Sequence, residues 1–140
     1  MNDYSIKELS EMGAFECSFE VEVTEQMQKA FAEISGDQNP LHISLEFAKS
    51  KGFEEPLVFG MLTASFYSRL VGVYMPGLHS LFHELKASFI KPVYVGDKLT
   101  VSGRLEEVQA EYCRVVVKAA IHNQRGEKVS KATITAGVTR

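Results

Sequence analysis

A carboxylate, an amide and an imidazole fall close together in the segment SGDQNPLH at residues 35–42. Asp37 and His42 are the pair of interest, because a carboxylate and an imidazole held near one water molecule can move protons near neutral pH. Pro40 restricts the residue before it to an extended backbone, and the resulting sharp turn can bring both side chains to one side. The segment has no serine or cysteine beside a histidine in a nucleophile elbow. Acid–base chemistry is therefore favoured over covalent catalysis.

A structural role explains the same loop. Asp37 and Asn39 are residue types that close Asx turns, and His42 would then cap the helix that follows. The residue types alone favour this structural role.

Length and composition describe an ordinary globular chain. Its 140 residues fit one domain over 1–140, with 45% apolar and 24% charged residues. The net charge of −3 argues against phosphate backbones of nucleic acids as the main partner. The N-terminus has no apolar leader, no stretch reaches membrane-spanning length, and the C-terminus carries no targeting signal, so the cytoplasm is the expected location. Cys17 and Cys113 are expected to be buried free thiols, with a disulfide as the lesser alternative.

Alternating and helical patterns place the loop between helices. Residues 15–23 alternate apolar and polar, which predicts a half-buried strand. Thr24 begins a helix that Gly36 ends, and Ser44 begins a short helix that Gly52 ends. Residues 55–77 are apolar on more than one face, which predicts a buried helix ending before Pro76.

The pattern of the remaining residues predicts antiparallel strands. Residues 81–91 form the first of them, and turns follow at residues 96–97 and 124–127. Apolar side chains alternate along the later runs, at Cys113, Val115, Val117, Ala119 and Ile121, and at Ala132, Ile134, Ala136 and Val138. The expected fold class is α+β, a curved antiparallel sheet wrapped around a central buried helix. Such a small sheet has open edges, so edge-to-edge pairing into a homodimer is expected.

Three segments together carry a resemblance to a known family: SGDQNPLH at 35–42, EEPLVFGMLTASFYSRLVG at 54–72 and FIKPVYVGDKLTV at 89–101. The chain resembles MaoC-like dehydratases and (R)-specific enoyl-CoA hydratases, which have the hot-dog fold. The resemblance implies that Asp37 and His42 form the catalytic pair that adds water to a trans-2-enoyl thioester, while Asn39 orients the loop. It also implies that Gly60 opens an oxyanion hole at the helix N-terminus and that Ser68 lies near the active site. No cofactor is implied beyond the thioester carrier.

One departure from the family pattern falls beside Gly60. Members usually carry histidine where this chain has Phe59, and phenylalanine cannot hydrogen-bond to the loop or the substrate. Met61, Leu62, Phe66, Tyr67 and Leu70 are candidates for an acyl tunnel or, as the safer interpretation of each, plain core residues.

Two further signals are set aside. His79 and His83 are four residues apart, but their segment has strand character and no metal site is expected. A positive rim for the phosphates of coenzyme A could use Lys86, Lys91, Lys98 and Arg104, although scattered strand lysines are more often a solvated face.

The resemblance therefore implies a hydratase for trans-2-enoyl-CoA that yields (R)-3-hydroxyacyl-CoA and also runs in reverse. Three alternatives stay open: a dehydratase for acyl-carrier-protein or specialised-pathway substrates, a thioesterase, and an acyl-thioester-binding protein with little catalysis. No nucleic acid or membrane partner is expected.

Overall fold

The computed structural model describes residues 1–140 and contains five strands and four α-helices. The helices are α1 (Ile6–Met12), α2 (Glu25–Ser35), α3 (Leu45–Ser50) and α4 (Gly60–Arg69), and a π-helical turn over Leu70–Tyr74 continues α4. The strands are β1 (Glu16–Glu22), β2 (Ser80–Phe89), β3 (Lys98–Gln109), β4 (Arg114–His122) and β5 (Lys128–Val138). Short 3₁₀ turns occupy Pro40–His42 and Ala110–Tyr112. Each helix is too short or too polar to span a lipid bilayer.

All five strands form one antiparallel sheet in the order β1-β3-β4-β5-β2. The sheet packs against α4, and the interior between them is filled by Tyr67 and Leu70 from the helix and by Val101, Val117 and Ile134 from the strands, all fully buried. The predicted α+β class and the sheet wrapped around a central helix are confirmed.

Local signals in the sequence account for the helix ends. The Thr24 side chain accepts a hydrogen bond from the Met27 backbone, and the Ser44 side chain accepts one from the Phe47 backbone, as predicted for helix caps. Gly36 ends α2 in the left-handed conformation at φ 73°, which glycine adopts without steric cost. The two boundaries of the candidate loop are therefore encoded locally.

Three expectations need correction. Cys113 is an exposed free thiol at the tip of the turn before β4, where its φ is 49°, because the strand begins one residue later. Cys17 is a half-buried free thiol, and burial raises its pKa to about 11. Helix α4 is not buried all round: Met61 is 61% exposed and lies on the stripe that faces away from the sheet. Helix α1 was not expected from the sequence, although it begins with a reciprocal capping box between Ser5 and Glu8.

Candidate active site

The loop between α2 and α3 is built from two consecutive Asx turns. The Asp37 carboxylate accepts the Asn39 backbone N–H at 3.0 Å, and the Asn39 side-chain oxygen accepts the Leu41 backbone N–H at 3.0 Å. Asp37 is exposed at the start of this segment, and His42 is half-buried at its end. The structural role expected for Asp37 and Asn39 is thus present. His42 does not cap α3, because Ser44 does so.

His42 is held in one orientation by a backbone carbonyl. Its Nδ1 lies 2.8 Å from the carbonyl oxygen of Leu57. Since a carbonyl oxygen only accepts, Nδ1 carries a proton, and in the neutral imidazole Nε2 then has a free lone pair. The imidazole also stacks on the ring of Phe59, with centroids 4.2 Å apart and planes 30° from parallel. The ring is therefore fixed with its basic nitrogen available for proton transfer.

A buried amide, Gln28, ties this loop to the start of α4. Its Nε2 donates to the carbonyl oxygens of His42 at 3.2 Å and Leu57 at 2.9 Å, and its Oε1 accepts the Phe59 backbone N–H at 3.3 Å. Gln28 was not among the residues singled out in the sequence. The available signal was a polar side chain next to Met27 on the apolar face of α2, and in the structure this side chain is only 8% exposed.

The N-terminus of α4 opens beside the imidazole. Helix α4 begins at Gly60, and no side chain caps it, so its first N–H groups have no partner within the helix. The positive end of the helix dipole lies at the same point. A Cβ on residue 60 would lie 3.5 Å from the Phe89 ring, so glycine keeps the space between backbone and ring open.

His42 and Gly60 line the same cavity, which has a volume of about 290 Å³ and is called the His42 cavity below. Apolar side chains from the segment before α4, from β2 and the loop after it, and from β5 complete its wall, among them Phe89, Ile90 and Val129. His42 also lines a second cavity of about 440 Å³, together with Gln28 and Phe59. Neither cavity has Asp37, Asn39 or Ser68 in its wall.

Lys91, a candidate for the positive rim, also lines the His42 cavity, whereas Ser68 and the tunnel candidates lie apart from it. Ser68 is exposed on α4, on the same stripe as Met61. The other tunnel candidates, Leu62, Phe66, Tyr67 and Leu70, are buried in the core, and none lines the His42 cavity. The core interpretation therefore holds for these four. His79 bonds to the Asp3 carboxylate at 2.8 Å rather than to His83.

Comparisons with known proteins agree with the geometry. The family model described as "MaoC like domain" matches residues 12–128. The (R)-specific enoyl-CoA hydratase of Aeromonas caviae is 38% identical over 97 residues, covering 69% of this chain and 72% of that protein. A mitochondrial 3-hydroxyacyl-[acyl-carrier-protein] dehydratase of Arabidopsis thaliana is 42% identical over 71 residues, 51% of this chain. That match spans only 42% of the plant protein, less than half of its length.

Solved structures place the fold in the same group. The (R)-hydratase of A. caviae involved in PHA biosynthesis superposes with a TM-score of 0.84 at 30% identity. The superposition covers 89% of this chain and 95% of that one. The hot-dog fold implied by the resemblance is thereby confirmed, and the chain belongs to the family of MaoC-like domains, whose named relatives here are hydratases and dehydratases.

Proposed function

We propose that the protein catalyses the reversible, (R)-specific hydration of trans-2-enoyl-CoA to (R)-3-hydroxyacyl-CoA. The observation that carries this proposal is the shared cavity of His42 and Gly60, which puts a base beside free backbone N–H donors. The named relatives are an enoyl-CoA hydratase and a 3-hydroxyacyl-[acyl-carrier-protein] dehydratase, and hydration and dehydration are the two directions of one reaction type. The apolar wall of the His42 cavity suits an acyl chain.

Asp37 and His42 are proposed to hold one water molecule between them. His42 Nε2 and the second oxygen of Asp37 are both unbonded in the structure, and each can accept a proton from water. As the water oxygen bonds to the β-carbon, one of its protons passes to this pair. A proton from the pair then reaches the α-carbon, so that the elements of water add across the double bond and the enzyme is unchanged.

The N-terminus of α4 is proposed to stabilise the negative charge that develops on the thioester oxygen. Its free N–H groups and helix dipole favour an anion, and Gly60 leaves room for the carbonyl to approach. Asn39 keeps the shape of the loop through its Asx turn. For Ser68 we keep the role implied by the resemblance, orienting the pair or the water, which its exposed side chain can fulfil where a second subunit covers α4.

A homodimer is proposed to complete the enzyme, with residues 1–140 of each subunit acting as one domain. The free edge of strand β2 carries exposed apolar side chains: Leu81 is 55% exposed and Phe89 is 51% exposed. The other edge strand, β1, is protected by Glu16, Glu20 and Glu22. Pairing through β2 would cover apolar surface that borders the His42 cavity. The two free thiols favour a reducing compartment, and we place the protein in the cytoplasm.

The test is an optical assay that follows loss of the conjugated enone absorbance of short and medium enoyl-CoA substrates. We expect Asp37→Asn and His42→Ala to lower the rate by at least about 100-fold, the usual contribution of a positioned acid or base. Glu46→Gln and His122→Ala remove a carboxylate and an imidazole elsewhere in the chain and should leave the rate unchanged. Equal rates in wild type, Asp37→Asn and His42→Ala would refute the hydratase proposal.

Two alternatives have specific support. The 42% identity to the plant dehydratase favours acyl-carrier-protein thioesters, and rates compared on carrier-protein and CoA substrates separate the two carriers. Phe59, in place of the usual histidine, favours an acyl-thioester-binding protein with little turnover. Binding of enoyl-CoA without loss of its enone absorbance would support that alternative.

A further inference from the structure

The face of the sheet that points away from α4 carries a groove with a volume of about 780 Å³. Five cationic side chains line it, Lys86, Arg104, Lys118, Lys128 and Lys131, against a single carboxylate, Glu16. The protein as a whole has a net charge of −3, so positive charge is concentrated on this face. We call this feature the basic groove.

The shape of the basic groove follows from side-chain size. Ser18, Ser102, Ala120 and Ser88 lie in one row across the sheet, in register through β1, β3, β4 and β2, with Lys131 between the last two. The neighbouring row holds Arg104, Lys118 and Lys86, with Glu16 at its β1 end and Thr133 between the two lysines. The short side chains of the first row, beside the three long cationic side chains of the second, form a channel across the strands.

The cations of the basic groove are poorly neutralised within the chain. Arg104 pairs with Glu106, but Lys86, Lys118, Lys128 and Lys131 make no salt bridge. Arg104 and Lys118 also lie directly opposite each other on β3 and β4, and like charges in that relationship destabilise a sheet. The only bond from Lys118 goes to the hydroxyl of Thr133, at 2.9 Å. The groove therefore has a positive electrostatic potential that favours binding of an external anion.

The dimensions and lining of the basic groove select one kind of anion. Its cations extend over about 14 Å across the strands, three interstrand spacings of roughly 4.8 Å, which is too far for one phosphate. None of its lining residues is aromatic, so it lacks the stacking platform expected for a nucleotide or a single-stranded nucleic acid. A recessed floor with no apolar anchor does not suit a flat lipid surface. Carboxylates spaced along a polypeptide fit both the length and the polar floor.

We propose that the basic groove is a docking surface for an acidic polypeptide segment of a partner protein. The lysines pair with its carboxylates, and the serine and alanine floor lets its backbone approach the sheet. This surface lies on the opposite sheet face from the His42 cavity and does not depend on the proposed reaction.

Fluorescence anisotropy with a labelled peptide tests the proposal on the intact 140-residue chain. The probe is a peptide of roughly fifteen residues, about a third of them glutamate, and the comparison probe has glutamine at those positions. We expect the glutamate peptide to bind at low ionic strength, to be released by salt, and to bind more tightly than its glutamine counterpart. The double variant Lys118→Gln/Lys131→Gln should bind it about tenfold more weakly, because each exposed charge pair contributes a factor of about two to five.

The matched control is Lys7→Gln/Lys49→Gln, which changes the net charge equally at two exposed lysines on α1 and α3. It should bind as the wild type does. If both double variants bound the glutamate peptide equally weakly, the loss of affinity would come from net charge alone, and the proposal would be overturned. No binding of the glutamate peptide at low salt, or tighter binding of single-stranded DNA or anionic phospholipid vesicles, would also overturn it. Circular dichroism of both variants checks that the sheet is intact.

Discussion

Gln28 and His42 donate hydrogen bonds to the same atom, the carbonyl oxygen of Leu57, from 2.9 Å and 2.8 Å. Gln28 also binds the His42 carbonyl and the Phe59 N–H, so one buried amide joins helix α2, the imidazole loop and the first residue before α4. The orientation of His42 therefore depends on a residue that does not line the His42 cavity.

Replacement of Gln28 by methionine keeps the side-chain length and removes all three hydrogen bonds. We expect a loss of about 1–3 kcal/mol in the free energy of unfolding, because buried backbone groups are left unpaired. With the Leu57 carbonyl no longer held, kcat for hydration should fall more than KM rises. Urea unfolding and steady-state kinetics measure the two effects. The exposed neighbour Gln26→Met is the control, and a Gln28→Met protein as stable and active as the control would contradict this role.

Phe59 lies between two other rings, at 5.1 Å from Phe31 and 4.2 Å from His42, and is only 2% exposed. Restoring the family's histidine with Phe59→His would put a polar ring in this apolar position. We expect a loss of about 1–3 kcal/mol in unfolding free energy and no gain in kcat, because the new imidazole is buried without a designed partner.

Phe59→Leu distinguishes the effect of burying a polar group from the effect of losing ring contacts, because leucine is apolar but has no ring. It should be less destabilised than Phe59→His in the same thermal or urea unfolding experiment. A Phe59→His protein that is as stable as the wild type and turns over faster would show instead that the position still fits the family pattern.

Much of the fold could be predicted because it is encoded in short local patterns. Alternation along β5 placed Ala132, Ile134, Ala136 and Val138 on the buried face, and all four are buried. The wrong predictions of burial concern positions whose exposure depends on residues far away in the sequence. Met61 belongs to an apolar helix, yet the sheet covers only the opposite side. Cys113 continues the alternation of β4 but falls in the preceding turn.

The candidate site shows the same division. His42 and Gly60 were identified from the loop and helix segments, and the structure brings them to one cavity. Gln28 was missed because its partners are backbone groups 14, 29 and 31 residues away, which no local spacing reveals. The candidate positive rim was only partly correct as a group: Lys86 and Arg104 line the basic groove, whereas Lys91 lines the His42 cavity. The other lysines of the basic groove were not grouped with them, because β2 and β3 come close to β5 and β4 only in the sheet order.

Tyr67 and Ser130 form a buried chain of hydroxyl groups between α4 and the sheet. The Tyr67 hydroxyl donates to Ser130 Oγ at 2.8 Å, and Ser130 donates to the Ser88 carbonyl at 2.9 Å. Burial raises the pKa of the Tyr67 phenol, so it remains a donor over the working pH range. Tyr67→Phe removes the donor at one end of the chain and should cost about 0.5–1.5 kcal/mol.

Ser130→Ala should cost more, about 1–3 kcal/mol, because it leaves the buried Tyr67 hydroxyl without a partner. The double variant should lose less unfolding free energy than the sum of the losses in the two single variants, as expected for groups in one network. Urea unfolding of the four proteins completes this cycle. Strict additivity would mean that the two hydroxyls act independently.

Glu127 anchors the β4–β5 turn to the rim of the His42 cavity. Its carboxylate accepts bonds from Lys91 at 2.6 Å, Arg125 at 2.7 Å and Asn123 at 3.1 Å, and Lys91 lines that cavity. These three donors lower the pKa of Glu127 to about 2, with Lys91 making the largest contribution. The ionised carboxylate is therefore favoured in the folded state over the unfolded chain.

Because the folded-state pKa lies below the usual glutamate value of about 4.3, the stabilisation by Glu127 is fully present above that pH and is lost as the pH falls toward 2. The stability difference between wild type and Glu127→Gln should thus be largest near pH 6 and clearly smaller at pH 3. Thermal unfolding of both proteins across this range measures it. Glu111→Gln, at an exposed carboxylate in the β3–β4 turn, is the control and should show no such trend. A wild-type advantage that stays constant from pH 6 to pH 3 would mean that the three donors do not hold the charge on Glu127.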